Sequence, residues 1–335
     1  MKITKPAYYD EFRCLAGDCP DSCCQEWDVD VDEKSAAFYR GLPGELGDRL
    51  REALQDTEAG TVMTIQDGRC PMWRADGLCR IQAELGEGAL CQVCRQFPRL
   101  RHDYGDFVEL GLELSCPEAA RRILSAPAAP RISSLEEGDG EADYDREAMA
   151  VLLQTRERAL SLLEESTAAD GLTLLLFYGC LAQEALDGGE PGAFDPAAAL
   201  ETAADLAGEP DIPGFLQFFR GLEILTENWA ARLEERHTPA LPEGTRALAR
   251  YLVERYWLQA VSDYDLMGRV KFILISCLLV GLLGGNFVET AQLYSKEIEN
   301  AADNVDALLD AAYSHRAFAD DRLLGMLQMG KRRAP

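Results

Sequence analysis

Histidine is scarce in this chain, with 3 residues among 335, and only His102 lies in the first 125, so imidazole offers little as a metal ligand there. Positive charge is scarce too: 33 Lys+Arg stand against 58 Asp+Glu, a formal net charge of −25. That balance argues against a nucleic-acid partner, because phosphate contacts need clustered cations. An acidic surface serves solubility first and suits a cationic substrate second. The most apolar stretch, Phe272 to Leu283 (FILISCLLVGLL), falls short of the roughly 20 residues that a helix needs to cross a bilayer. It reads as a buried core helix, with peripheral membrane contact as a secondary expectation. The opening residues, MKITKPAYYDEFRC, offer no apolar h-region and no small-residue cleavage site, which leads to the expectation of a cytoplasmic, reducing location.

Cysteine, by contrast, is plentiful. There are 11, and in a reducing compartment disulfides are disfavoured, while an odd total rules out complete pairing. Nine lie between residues 14 and 116: Cys14, Cys19, Cys23 and Cys24, then Cys70 and Cys79, then Cys91 and Cys94, then Cys116. Gly17, Asp18, Pro20 and Asp21 mark the first group as a loop that can wrap backbone around a metal and aim amide N–H groups at sulfur. Packing alone explains an isolated thiol in an apolar run, which is the reading for Cys180 and Cys277. It does not explain an adjacent Cys23-Cys24 pair beside two more thiols. Zinc favours two short-spaced pairs, and only Cys91 and Cys94 have that spacing; iron–sulfur clusters accept more varied intervals, so iron is preferred and zinc is the runner-up. Nine thiols exceed one site's need for four, so one centre and two both remain open.

The chain divides into a Cys-rich metal-binding domain (1–125), a linker (126–143) rich in Pro, Gly, Ser and acid, and an α-helical domain (144–335). Apolar spacing of three and four predicts helices at 148–165, 171–187, 215–233, 244–263, 266–283, 287–299, 303–315 and 319–328. The first domain should be irregular, with short helices at 33–40, 44–55, near 80–86 and opening at Pro117, and short strands at 61–66 and 107–114. The fold class is therefore mainly α.

Three stretches, PAYYDEFRCLAGDCPDSCCQEWDVDVD, CPMWRADGLCRIQAELGEGALCQVCRQFPR and LSCPEAAR, together resemble the flagellin lysine N-methylase family, over about residues 1–125. The resemblance implies an S-adenosylmethionine-dependent enzyme that methylates lysine ε-amines on flagellin and requires a [4Fe-4S] cluster. It places ligands among Cys14, Cys19, Cys23, Cys24, Cys70, Cys79, Cys94 and Cys116, with Cys91 ranked last. The sequence lacks the C-x3-C-x2-C loop of radical S-adenosylmethionine enzymes and has no G-x-G-x-x-G after a strand; GLLGG at 281–285 reads as a helix C-cap. Lysine methylation needs a neutral amine, so Tyr8, Tyr9 and Tyr104 are candidate bases. Arg95 and Arg99 could bind the donor carboxylate, with Glu118 facing a cation. Trp27 and Trp73 would shield the centre. The rival readings are a cluster-based or zinc-based sensor that makes no product, and a cluster enzyme using S-adenosylmethionine on another peptide or small molecule.

Overall fold

The strands of the first half are only three to six residues long, so their alternation is hard to see in sequence, and some pair with neighbours in the chain while others pair with distant partners. The computed structural model describes residues 2–25, 27–128, 131–135, 140–235 and 239–331. Among these are seven strands and fifteen α-helices, a mainly α fold. The strands are β1 (Lys2–Lys5), β2 (Val29–Val31), β3 (Leu54–Thr57), β4 (Gly60–Met63), β5 (Arg99–Asp103), β6 (Phe107–Leu112) and β7 (Ile132–Leu135). They build two sheets, ordered β5-β6-β1-β7 and β2-β4-β3. In the larger sheet β1 runs parallel to β6, with Ile3 opposite Val108, and antiparallel to β7, with Ile3 opposite Ser134.

Two apolar cores result. The smaller packs Val29, Val31, Tyr39, Leu50, Met63, Met72 and Ile81 with Cys70 and Cys91, and Trp27, Cys24, Cys79 and Cys94 lie against it. The larger joins Phe12, Leu112, Leu114 and Cys116 to the helices of the second half. The helix Pro117–Ser125 packs on Gly244–Tyr256 and Phe287–Tyr294, tying the end of the Cys-rich segment into that core.

The helical half follows its capping signals: Asp145, Thr167, Asp195, Asp211, Thr226, Asp265 and Asn286 each accept backbone N–H groups at a helix start. The helix Leu266–Leu283 has the length and apolarity of a membrane span, yet 94% of it is buried inside the protein, as a core helix would be. It ends at Gly284 and Gly285, both with positive φ.

Several expectations need correction. The helix expected across 215–233 is two, Ile212–Arg220 and Glu227–Glu234. Its apolar rhythm runs through the break because Phe215, Phe219, Trp229 and Leu233 all enter the same core, while Thr226 caps a new start through its bond from Trp229 N–H, at 3.1 Å. The helix expected at 287–299 finishes as a π turn, Ser295–Glu299. Pro196–Leu206 is a helix that the pattern did not signal, since its five alanines stand on buried (Ala199, Ala203) and exposed (Ala197, Ala198, Ala204) positions alike. Strand β7 lies within the segment read as a linker, where Arg131 bonds the carbonyl of Leu110 at 2.6 Å and pairs with Glu254 at 3.2 Å. Cys277 is fully buried, but Cys180, expected in the core, is exposed on the helix Ala168–Leu186.

Candidate functional site

The nine N-terminal thiols gather in two neighbourhoods. The loop 14–24 turns through the 3-10 helix Ala16–Asp18, with Ala16 at φ 50° and its N–H on Cys14 Sγ at 3.3 Å. Cys24 is fastened to the second cysteine segment by Cys70 N–H, which donates to its carbonyl at 2.8 Å. Cys79, Cys91 and Cys116 each stand at the N-cap of a helix, Arg80–Leu85, Gln92–Gln96 and Pro117–Ser125. A helix N-terminus favours negative charge, so these positions suit thiolates.

The electrostatics separate the neighbourhoods. Burial, with the charges of Cys79, Cys91 and Cys23, pushes the Cys70 thiol up to about 11. Cys94 donates its proton toward Cys91, which holds Cys94 well up and Cys91 down. Cys23 is raised by its hydrogen bond with Cys24 and by burial. Burial pushes Cys116 up to about 12, and the thiols whose charge reaches it are Cys19 and Cys14. Cys24, Cys70, Cys79, Cys91 and Cys94 gather at the smaller core, with Cys23 beside Cys24. Cys14, Cys19 and Cys116 form the other neighbourhood, and Cys19 also feels the charge of Cys23, so the two adjoin. A crowd of mutually repelling thiols, of which Cys70, Cys91 and Cys116 are buried and Cys14 and Cys23 exposed, is a donor set whose deprotonation a cation would favour, which fits a metal or cluster in kind. Among the described residues no three His, Cys, Asp or Glu side chains already stand as a formed metal site.

Asp32 holds the first neighbourhood in register. Its Oδ1 accepts from Ser35 N–H at 3.0 Å and its Oδ2 from Gln92 N–H at 2.8 Å, so one carboxylate caps both Glu33–Gly41 and the helix Gln92–Gln96 that carries Cys94. Those amides hold Asp32 down at about 2. Trp27 lies 6.5 Å from Phe97, and Trp73 carries the Arg69 guanidinium at 3.9 Å from its ring centroid.

Beside the second neighbourhood opens a cleft of about 590 Å³. Leu15, Pro20 and Pro117, the chain neighbours of Cys14, Cys19 and Cys116, form part of its wall, with Asp21, Glu118 and Arg121; Thr226, Asn228, Arg232, Glu289, Gln292 and Lys296 come from the helical half. Glu118 is gripped by Arg121 at 2.8 Å and Arg122 at 2.6 Å. Lys296 and Gln292 both bond Asp21, at 3.1 and 3.0 Å, and Gln292 also donates to the Ser115 carbonyl at 2.7 Å.

Of the residues singled out in the sequence, Glu118 lines the cleft, while Arg95, Arg99, Tyr8, Tyr9 and Tyr104 are elsewhere. Arg95 is exposed, and Arg99 lies over the Phe12 ring at 5.3 Å. Tyr8 faces a small cavity with His102, Glu109 and Arg131, and Tyr104 stacks on Phe107 at 4.7 Å. Burial raises all three phenols, which makes each a poorer source of phenolate. Arg232, Glu289, Gln292 and Lys296 carried no signal in sequence, because only folding brings them to the cysteine loop.

Comparison with known proteins decides the lineage. The flagellar biosynthetic protein FliU of Salmonella muenchen is 33% identical over 139 residues, 38% of this chain and 80% of its own length. The chain belongs to the flagellin lysine N-methylase family. The proteins named lysine-N-methylase from Salmonella typhimurium (strain LT2) and Salmonella choleraesuis (strain SC-B67) are each 33% identical over 143 residues, 40% of this chain. The match spans about a third of those methylases, 35% of their length. No family model and no solved structure matches the chain.

Proposed function

We propose that this chain is an S-adenosylmethionine-dependent protein-lysine N-methyltransferase acting on flagellin in the cytoplasm, and that it works with a [4Fe-4S] cluster held by its N-terminal cysteines. The observation that carries the reading is the match to the named lysine-N-methylases and, over 80% of its length, to FliU. The eleven unpaired cysteines suit a reducing setting.

Cys23, Cys24, Cys70, Cys79, Cys91 and Cys94 are the first candidates to hold the cluster, and Cys14, Cys19 and Cys116 the second; zinc is the alternative occupant. When bound, a cluster supplies one-electron chemistry and a rigid link between loops. The chain's own residues have the rest of the work. A lysine ammonium has no lone pair, so it must lose a proton before it can accept a methyl group, and removing it from water favours that loss. The cleft offers partial exclusion of water and carboxylates to attract the ammonium, which are the properties such a substrate needs.

Anaerobically purified protein incubated with methyl-labelled S-adenosylmethionine and flagellin tests the reading. Label in flagellin lysine is the expected result; unlabelled lysine with the iron and sulfide intact would overturn it.

A further inference from the structure

We infer that the buried Lys296 ammonium is the outer cation of the N-terminal cysteine centre: held against Asp21 and Trp27, it sets the charge around that centre and so the ease with which the centre takes up an electron. The inference rests on the cluster reading above. Asp21 lies two positions from Cys19 and two from Cys23, so its partner stands beside the cysteine loop whichever neighbourhood holds the iron.

The placement is specific. Lys296 comes from the π turn Ser295–Glu299 of the helical half, its side chain is 2% exposed, and its Nζ lies 3.2 and 3.1 Å from the two Asp21 carboxylate oxygens. The same Nζ is 5.1 Å from the centroid of the Trp27 ring, which packs, like Cys24, Cys79 and Cys94, against the smaller core. One turn earlier Gln292 donates to Asp21 at 3.0 Å and to the carbonyl of Ser115, the residue before Cys116, at 2.7 Å. Together the two side chains fix Asp21 relative to both thiol neighbourhoods. Burying an ammonium is unfavourable unless it is compensated, and a tie between two halves needs no charge, because apolar packing serves as well. What a buried cation adds is a field that water and salt screen weakly. One-electron reduction makes a thiolate-held cluster more negative by one charge, so a fixed cation beside it favours the reduced form.

Dithionite titration of the whole chain, reconstituted anaerobically with iron and sulfide and followed by electron paramagnetic resonance, reads the midpoint potential. Lys296→Met removes the charge and keeps the length, and should lower the potential. Asp21→Asn removes the opposing charge and should raise it, while Lys296→Arg should stay close to the wild type. Lys271→Met is the matched control. Lys271 is also buried and also pairs with an exposed aspartate, Asp320 at 2.9 Å, but the thiol its charge reaches is Cys180, so the potential should not move. A merely structural tie predicts no opposition of sign, since Lys296→Met and Asp21→Asn break the same pair. Should Lys296→Met fail to hold iron, Asp21→Asn alone decides: a higher potential sustains the inference and an equal or lower one overturns it. Shifts of both variants in one direction, or wild-type potentials in both with iron and sulfide bound, would overturn the inference while leaving the methyltransferase reading in place. Wild-type protein that takes up no iron would overturn the cluster reading and the inference with it.

Discussion

Lys296 and Asp21, 275 positions apart, form an ion pair of 3.1 Å at the edge of the cleft. The lysine side chain is only 2% exposed and its ammonium also lies 5.1 Å from the centroid of the Trp27 ring. The pair joins the cysteine loop to the π turn of the helical half, so the cleft is shaped by both parts at once.

Cutting that tie should be felt in stability. Asp21→Ala leaves the Lys296 ammonium with one fewer counter-charge in a mostly dry place and removes an acceptor from Gln292. Asp21 is partly exposed, so the expected loss is about 1–3 kcal/mol rather than the full penalty of a deeply buried pair. Urea denaturation of the wild type and variant measures it, and an unchanged midpoint would show that the tie contributes nothing.

The second buried pair is deeper. Arg156 holds Glu109 with two bonds of 2.7 Å, and both side chains are almost wholly covered. Glu109→Gln should cost about 3–5 kcal/mol, because the guanidinium would keep its desolvation without its counter-charge. Glu109→Gln combined with Arg156→Met should be less harmful than the single change. Burial raises the Glu109 carboxyl, but the bonds and charge of Arg156 outweigh it and leave it lowered. A lowered folded-state pKa stabilises at pH values above the unfolded carboxylate range and is lost as pH falls through the folded value. The stability gap between wild type and Glu109→Gln should therefore close on acidification; a gap that widens would contradict the pairing.

Asp32 offers a milder test in the same direction. Its carboxyl is held at about 2 by the amides of Gln92 and Ser35, so its contribution should be complete above about 4 and disappear as pH falls toward about 2. Asp32→Ala should cost about 1 kcal/mol as a lost N-cap. It should also lower the metal content of freshly purified protein, since it loosens the helix carrying Cys94. Full metal content in the variant would detach Asp32 from the centre.

The two thiol neighbourhoods should respond differently from the remaining cysteines. Cys70→Ser, Cys94→Ser and Cys116→Ser should each reduce iron and acid-labile sulfide, measured chemically on anaerobic protein. Cys180→Ser, on an exposed helix face, should leave both unchanged. Equal retention in all four would remove the cysteines from the cluster.

Much of this was legible in sequence where a local signal existed. The long helices announced themselves through apolar spacing and Asp, Thr or Asn caps, and the span Leu266–Leu283 coincides with the helix expected there. The expected short helices near 33, 44, 80 and 117 are present because each begins at a clear break in the chain. What failed was long-range. β1 pairs with β6 on one side and β7 on the other, each across more than a hundred residues, and no local pattern marks so short a strand. The cysteines were conspicuous, yet their division into two neighbourhoods depends on which core each helix start faces. The cleft was invisible for the same reason: Asp21 reads as a turn residue, and Lys296 as one more cation on a helix, until the fold puts them 3.1 Å apart.

The most direct test of the proposed activity is mass spectrometry of flagellin after incubation with anaerobically purified protein and S-adenosylmethionine. The account predicts lysine residues heavier by one methyl group, in reactions containing both protein and donor. Unmodified flagellin from protein whose iron and sulfide remain bound would contradict it.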